Sequence, residues 1–265
     1  MSGLGSVQER YGEISVARDG HVAVLEISRP PNNHVSVELM SDLADALEAI
    51  DRTLELRAVV LCSAGKAFCA GADLVAPTGV AGSGMAGVNP LYVQAVRLYA
   101  TRKPIVVAVQ GAAVGAGLGL ALVGDFRIAA PEARFTANFV KLGFHPGFGL
   151  THTLPRLIGV QRASLMFQTG RRLKGEEALA WGLVDELVPL DELRAAAVRL
   201  AKEIAENAPL AVQSTRATLR DGLAAAVKAA TDHELIEQTQ LRKTADFAEG
   251  VRAVNERRPG VFTGR

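Results

Sequence analysis

Cysteine is scarce in this 265-residue chain: Cys62 and Cys69 are the only two, too few for a disulfide framework, and no metal-ligand spacing surrounds them. Net charge is almost absent too. Its 29 basic residues nearly cancel 28 acidic ones, which removes any electrostatic case for nucleic acid or an anionic membrane as partner. The opening MSGLGSVQERYGEI lacks the basic start and apolar core of a secretory signal, so a cytoplasmic protein is the expectation. No internal repeat stands out. Low complexity is confined to residues 75–89, rich in Gly, Ala and Ser with Pro77 near the start, which read as a mobile loop.

What is present is ordinary for a globular protein, 49% hydrophobic and 22% charged, in a chain long enough to bury a full core as one large domain or two modest ones. The apolar run over residues 105–123 has about the length of a membrane span. Four internal glycines, the preceding Pro104 and a β-branched opening argue against one. Gly115, Gly117 and Gly119 alternate as G-x-G-x-G, with no acidic residue at the distance a dinucleotide-binding G-x-G-x-x-G turn requires.

Periodicity divides the rest into strands and helices. Residues 14–17 and 22–27 predict a hairpin through Asp19-Gly20. Ser36 is a candidate N-cap for a helix burying Leu39, Leu43, Leu47 and Ile50. Residues 58–62 predict a buried strand, 89–100 a helix, and 125–129 and 133–136 short strands. Helices are expected over 147–159, 161–170 and 176–181, and a strand over 184–188. From Asp191 the chain reads as helical, with segments 191–207, 210–219 and a long one over 224–248. The most informative stretch, residues 103–121, KPIVVAVQGAAVGAGLGLA, predicts a buried strand, a tight turn and the N-terminus of a buried helix. Its small residues serve either close packing or the approach of a ligand to bare backbone, whose unpaired N–H groups suit a developing oxyanion.

Lys66-Ala67-Phe68-Cys69-Ala70-Gly71-Ala72-Asp73-Leu74 resembles the K-x-F-x-A-G-x-D-[LI] signature of the crotonase (enoyl-CoA hydratase/isomerase) superfamily. Lys103-Pro104, with Gly111 and Gly115-Ala116-Gly117, resembles its second signature. Leu142-Gly143-Phe144-His145-Pro146-Gly147-Phe148-Gly149 and Ala178-Leu179-Ala180-Trp181-Gly182-Leu183-Val184-Asp185 match two further segments, in family order and spacing. The resemblance implies an α/β protein. A crotonase-type ββα spiral would occupy residues 1–200, and a C-terminal helical trimerisation region 201–265, the two forming one structural unit. It also implies an acyl-CoA thioester as substrate, no separate cofactor (coenzyme A being part of the substrate), no metal, and a homotrimer or dimer of trimers.

Carried over residue by residue, the resemblance makes the backbone N–H groups of Ala72 and Ala116 an oxyanion hole for a thioester enolate. It places His34, Ala70, Gly71, Asp73, Leu74, Gly115, Gly119, Phe139 and Leu142 around the substrate. The chain departs from the family at its acid-base groups. Gly119 and Phe139 stand where hydratases carry two glutamates, and Gly147 and Pro146 where other branches carry an aspartate. Ordinary hydration, which needs a general acid and base, is therefore not expected. His145 is the candidate substitute, with loop packing as its other reading. His34 is either a nucleotide contact or a surface histidine, and His152 reads as structural. Asp73 reads as a turn residue before a base, and Cys69 as a small buried hydrophobe. Two functions stay open: an enzyme of enoyl-CoA hydratase/isomerase type, a lyase or isomerase of fatty acid metabolism, or a catalytically silent acyl-CoA-binding protein.

Overall fold

Parallel strands that are apolar on both faces need cover on both sides, and this requirement shapes the architecture. The computed structural model describes residues 7–72 and 88–265. Residues 73–87, with most of the expected mobile loop and both Asp73 and Leu74, lie outside the described residues. One sheet contains β1 (Arg10–Tyr11), β2 (Ile14–Asp19), β3 (Val22–Ile27), β4 (Ala58–Ser63), β5 (Ile105–Val109), β7 (Phe126–Ala129) and β10 (Glu186–Leu187), hydrogen-bonded in that order. The first three form an antiparallel meander, and from β3 onward every neighbour is parallel. A second sheet holds β6 (Ala112–Val114), β8 (Arg134–Thr136) and β9 (Arg172–Lys174).

Alternate residues of β3, β4 and β5 enter two separate cores. Leu25, Val59, Leu61, Ile105 and Val107 face one side, with Leu39, Leu43, Leu47 and Ile50 of α1 (Val37–Arg52) in the same cluster. Val22, Ala58, Val60, Val106 and Ala108 face the other, where Ala196, Ala197 and Ala201 of α7 (Leu193–Ala205) pack. Ser36 caps α1 as its sequence position suggests, its hydroxyl accepting from the Leu39 N–H at 3.1 Å.

The chain advances as a spiral. After β3 it crosses to Val35, which bridges Ala72, and enters α1. After β4 it crosses to Cys69, which bridges Ala113, and later enters α2 (Pro90–Tyr99), capped by Asn89. After β5 it crosses to β6 and enters α3 (Ala116–Ala121); after β7 it crosses to β8. Each turn thus contributes a strand to the large sheet and a pairing segment to the small one, the strand-strand-helix spiral that the resemblance implies. The remaining helices are α4 (Leu150–Ile158), α5 (Val160–Thr169), α6 (Gly175–Ala180), α8 (Pro209–Leu219), α9 (Leu223–Leu241) and α10 (Ala245–Asn255). Among the described residues no helix is long and apolar enough to cross a membrane.

Several elements differ from the sequence reading, the short strands β1 and β9 among those it did not foresee. The expected strand-turn-helix over 103–121 contains the extra strand β6, because its small residues let it pair on both sides. Cys69 N–H donates to Ala112 O at 2.9 Å, and Val114 N–H to Cys69 O at 3.0 Å. The long helix expected over 224–248 breaks between α9 and α10, where the Thr244 hydroxyl accepts from Phe247 N–H at 3.1 Å and starts a new helix. A 3-10 turn over Phe139–Leu142, unforeseen in the sequence, ends at Gly143 in the left-handed region with φ 65°.

Asp125 joins the sheet to α8. Its carboxylate accepts from Ile105 N–H at 2.8 Å, from Arg216 Nε at 2.9 and 3.0 Å, and from Arg220 Nη1 at 3.0 Å. Arg216 also donates to the Thr101 carbonyl. Both guanidinium groups are largely buried, so removing their shared partner leaves cations without compensation. Asp125→Ala is expected to cost about 3–5 kcal/mol in urea unfolding. A loss under about 1 kcal/mol, the range of an exposed pair, would contradict this placement.

Candidate active site

Two glycines set the site by letting one backbone lie directly on another. A β-carbon on Gly117 would stand 2.1 Å from the carbonyl oxygen of Cys69, and one on Gly71 (φ 95°) 2.8 Å from that of Val114. The segment ending in Ala72 therefore rests against β6 and the start of α3. Gly115, at φ 54° and ψ −117°, turns the chain from β6 into α3, with its N–H bonded to Thr136 O at 2.9 Å. Ala116 is the first residue of α3, where an N–H has no intrahelical acceptor. Among the described residues, neither the Ala72 nor the Ala116 N–H donates to a protein acceptor.

The loop beneath is pinned by two amide side chains that the sequence reading passed over. Asn33, fully buried with φ 48°, donates to Ala64 O and Ala67 O at 2.8 Å each, and its Oδ1 accepts from Arg29 N–H at 2.9 Å. Gln110 donates to Ala67 O at 3.1 Å and to Ser63 O at 2.9 Å. Paired asparagines after two prolines, and a glutamine ending an apolar strand, were the only signals for them.

Ala72 and Ala116 both line a cavity of ≈ 320 Å³. The structure brings His34, Ala70, Gly71, Ala72, Gly115, Ala116, Phe139 and Leu142 together in its lining. The His34 ring lies 3.1 Å from Gly71 O, beside the Ala72 turn. Gly119 does not line the cavity: a β-carbon there would stand 2.4 Å from the Phe148 ring. His145 does not line it either. Its Nδ1 sits 2.8 Å from Pro146 O, and its ring meets His233 edge-on at 6.2 Å. Cys69 is fully buried, and burial pushes its thiol up to about 12, which removes it from nucleophilic chemistry.

The remaining wall was not legible as a site. Tyr92, Phe144, Phe148, Gln238 and Val254 line it, and as sequence they are members of apolar helices or of a glycine-rich loop. Tyr92 O–H donates to Gln238 Oε1 at 2.7 Å, while Gln238 Nε2 donates to His145 O at 3.0 Å and Pro146 O at 3.2 Å. Burial, reinforced by the nearby Glu234, pushes the Tyr92 hydroxyl far above the ordinary phenol range, so it remains a neutral group. No carboxylate lines the cavity among the described residues.

The strand-strand-helix spiral has counterparts among known proteins. The family model for enoyl-CoA hydratase/isomerase matches residues 17–265. The chain is 35% identical over 250 residues to 1,2-epoxyphenylacetyl-CoA isomerase of Escherichia coli, covering 92% of this chain and 95% of that protein. It is 34% identical over 257 residues to 2,3-dehydroadipyl-CoA hydratase of the same organism, covering 96% and 99%. The crystal structure of an enoyl-CoA hydratase/isomerase from Pseudoalteromonas atlantica superimposes with a TM-score of 0.85 at 31% identity, covering 95% of this chain and 100% of that one. The chain belongs to the enoyl-CoA hydratase/isomerase family of the crotonase superfamily.

Behind the cavity, Glu234 of α9 is fully buried and holds the start of α4. It accepts from Gly149 N–H at 2.8 Å, Thr151 N–H at 3.0 Å and Thr151 O–H at 2.6 Å. Burial is the largest influence and raises its carboxyl above the ordinary value, against the pull of those donors and of His145. A carboxyl raised by folding holds its proton more firmly in the folded chain. Its contribution is then greatest below the unfolded value of about 4.5 and is lost as pH rises through the folded value. Glu234→Gln turns an N–H toward backbone donors and is expected to cost about 1–3 kcal/mol. In urea unfolding the gap between wild type and variant should narrow from about pH 4 to about pH 7, and a gap that widens would reverse the assignment.

Proposed function

We propose that the protein binds an acyl-CoA thioester with its carbonyl oxygen between the Ala72 and Ala116 N–H groups, which stabilise the enolate formed there. The observation that carries the reading is that Ala72 and Ala116 line one cavity, with neither N–H donating to a protein acceptor among the described residues. Donors fixed before the reaction and aimed at developing charge in a dry site supply about 3–4 kcal/mol each. His34, beside the turn at Gly71, is assigned to the nucleotide end of the thioester. His145, turned onto the Pro146 carbonyl, takes the loop-packing reading of the two that its sequence position offered.

Hydration is not the reaction we assign. Of the described residues that line the cavity, His34, Tyr92 and Arg242 are the only titratable ones, and none replaces a pair of carboxylates. The Phe148 ring leaves no room for a glutamate at Gly119. The same absence favours the second reading, an acyl-CoA-binding protein that kept the oxyanion hole without hydratase chemistry. Ala116→Pro removes one donor and should weaken an enolate-like acyl-CoA analogue about tenfold or more relative to a saturated acyl-CoA. Equal losses for the two ligands, with the fold intact by circular dichroism, would remove the oxyanion assignment. Crotonyl-CoA hydration by the unmodified protein should stay well below a kcat/KM of about 10⁴ M⁻¹s⁻¹.

A cytoplasmic homotrimer or dimer of trimers completes the proposal. On α8, Leu210 and Leu219 are 74% and 73% exposed, and they flank the apolar side chains Ala211 and Val212. A surface of this kind suits association between copies. Light scattering at micromolar concentration should return a multiple of three chains; a mass near the single-chain 27.9 kDa would count against assembly.

A further inference from the structure

The cavity collects aromatic rings that the chain otherwise spends sparingly. The sequence holds nine Phe, three Tyr and one Trp, and Tyr92, Phe139, Phe144 and Phe148 all line this one space. Three of the four are seated against a glycine. Phe139 lies over Gly115, where a β-carbon would stand 3.5 Å from the ring, so this ring borders the backbone just before the Ala116 donor. Phe148 lies on Gly119 and Tyr92 on Gly147, where β-carbons would stand 2.4 and 2.1 Å away. Phe144 is held between the Phe247 ring at 5.1 Å and the Arg242 guanidinium at 5.0 Å.

Resting on the acyl-CoA reading above, we propose that the acyl group is an aromatic ring, as in an arylacetyl-CoA. Two of these rings are held in place: Phe148 is 1% exposed at φ 65°, and the Tyr92 hydroxyl is tied to Gln238. A rigid wall favours a rigid ligand, because a benzyl group gives up few rotatable bonds on binding while an alkyl chain of equal carbon number gives up several. Ring faces and edges carry opposite partial charge, so an aryl ligand also gains edge-to-face contacts that a methylene chain does not offer. The polar Tyr92–Gln238 pair and Asn255 interrupt the apolar lining, which suits a short, wide group better than an extended tail.

Calorimetric titration of the full chain with phenylacetyl-CoA, octanoyl-CoA and free coenzyme A tests this, the two acyl groups having equal carbon number. Phenylacetyl-CoA should bind about tenfold more tightly than octanoyl-CoA, through ring contacts and lower ordering cost. Phe139→Leu should reduce that ratio to about threefold or less by weakening phenylacetyl-CoA alone, since leucine keeps apolar area without a π face. Phe144→Leu provides the same readout should the first variant not fold. Octanoyl-CoA binding as tightly as phenylacetyl-CoA, or a ratio unchanged in the folded variants, overturns the proposal. If neither thioester binds better than coenzyme A, the acyl-CoA reading itself falls, a result distinct from a lost preference.

Discussion

Two backbone segments touch at Gly117 and Gly71 with no side chain between them, and the geometry of the site follows from that contact. Because α3 can lie against the Cys69 carbonyl, Ala116 begins its helix beside the turn that ends in Ala72. A residue with a β-carbon at either glycine would push the two amides apart. The Ala72 and Ala116 N–H groups are main-chain atoms, so their direction depends on how closely the backbones approach and not on any rotamer.

The packing around the cavity is set by glycines too. Glycine at 119 admits the Phe148 ring into the volume a side chain would fill. Gly147 admits the Tyr92 hydroxyl in the same way. The apolar lining that results would disfavour an unpaired carboxylate by several kcal/mol. Gly119 and Gly147 thus each make room for a bulky neighbour.

How much of this was legible in the sequence depended on the kind of signal. Periodicity marked α1 and its Ser36 cap, β4, and the hairpin at Gly20, because each is organised by local spacing of apolar residues. The strand β6 escaped it: three small residues pair on both sides only because the spiral brings Cys69 and β8 alongside, a nonlocal cause. The motif resemblance singled out the segments of Ala72 and Ala116, which the structure brings to one cavity, since glycines at close backbone contacts leave a recognisable pattern. It could not locate Tyr92, Phe144 or Gln238, which reach the cavity from helices and loops whose local sequence reads as packing.

The helix α9 shows why an apolar count misjudges a buried face. Its apolar residues Leu223, Ala226, Val227, Ala230, Leu235 and Ile236 are too broad a set for one thin stripe, and are the residues the expected homotrimer or hexamer would draw on. In the structure Ile236 is 60% exposed, while the buried residues of α9 are Val227, Thr231, Glu234 and Gln238. These recur at helical spacing and form one face, but three of the four are polar. Two of these polar groups meet partners from other elements, Glu234 the start of α4, and Gln238 both Tyr92 and the carbonyls of His145 and Pro146, while the Thr231 hydroxyl donates to Lys228 O within α9. Unmatched polar groups are costly at this depth, so only a narrow set of positions for α2, α9 and the 145–149 loop satisfies them all. The polar face of α9 thereby holds the back wall of the cavity in register with the amides at its front.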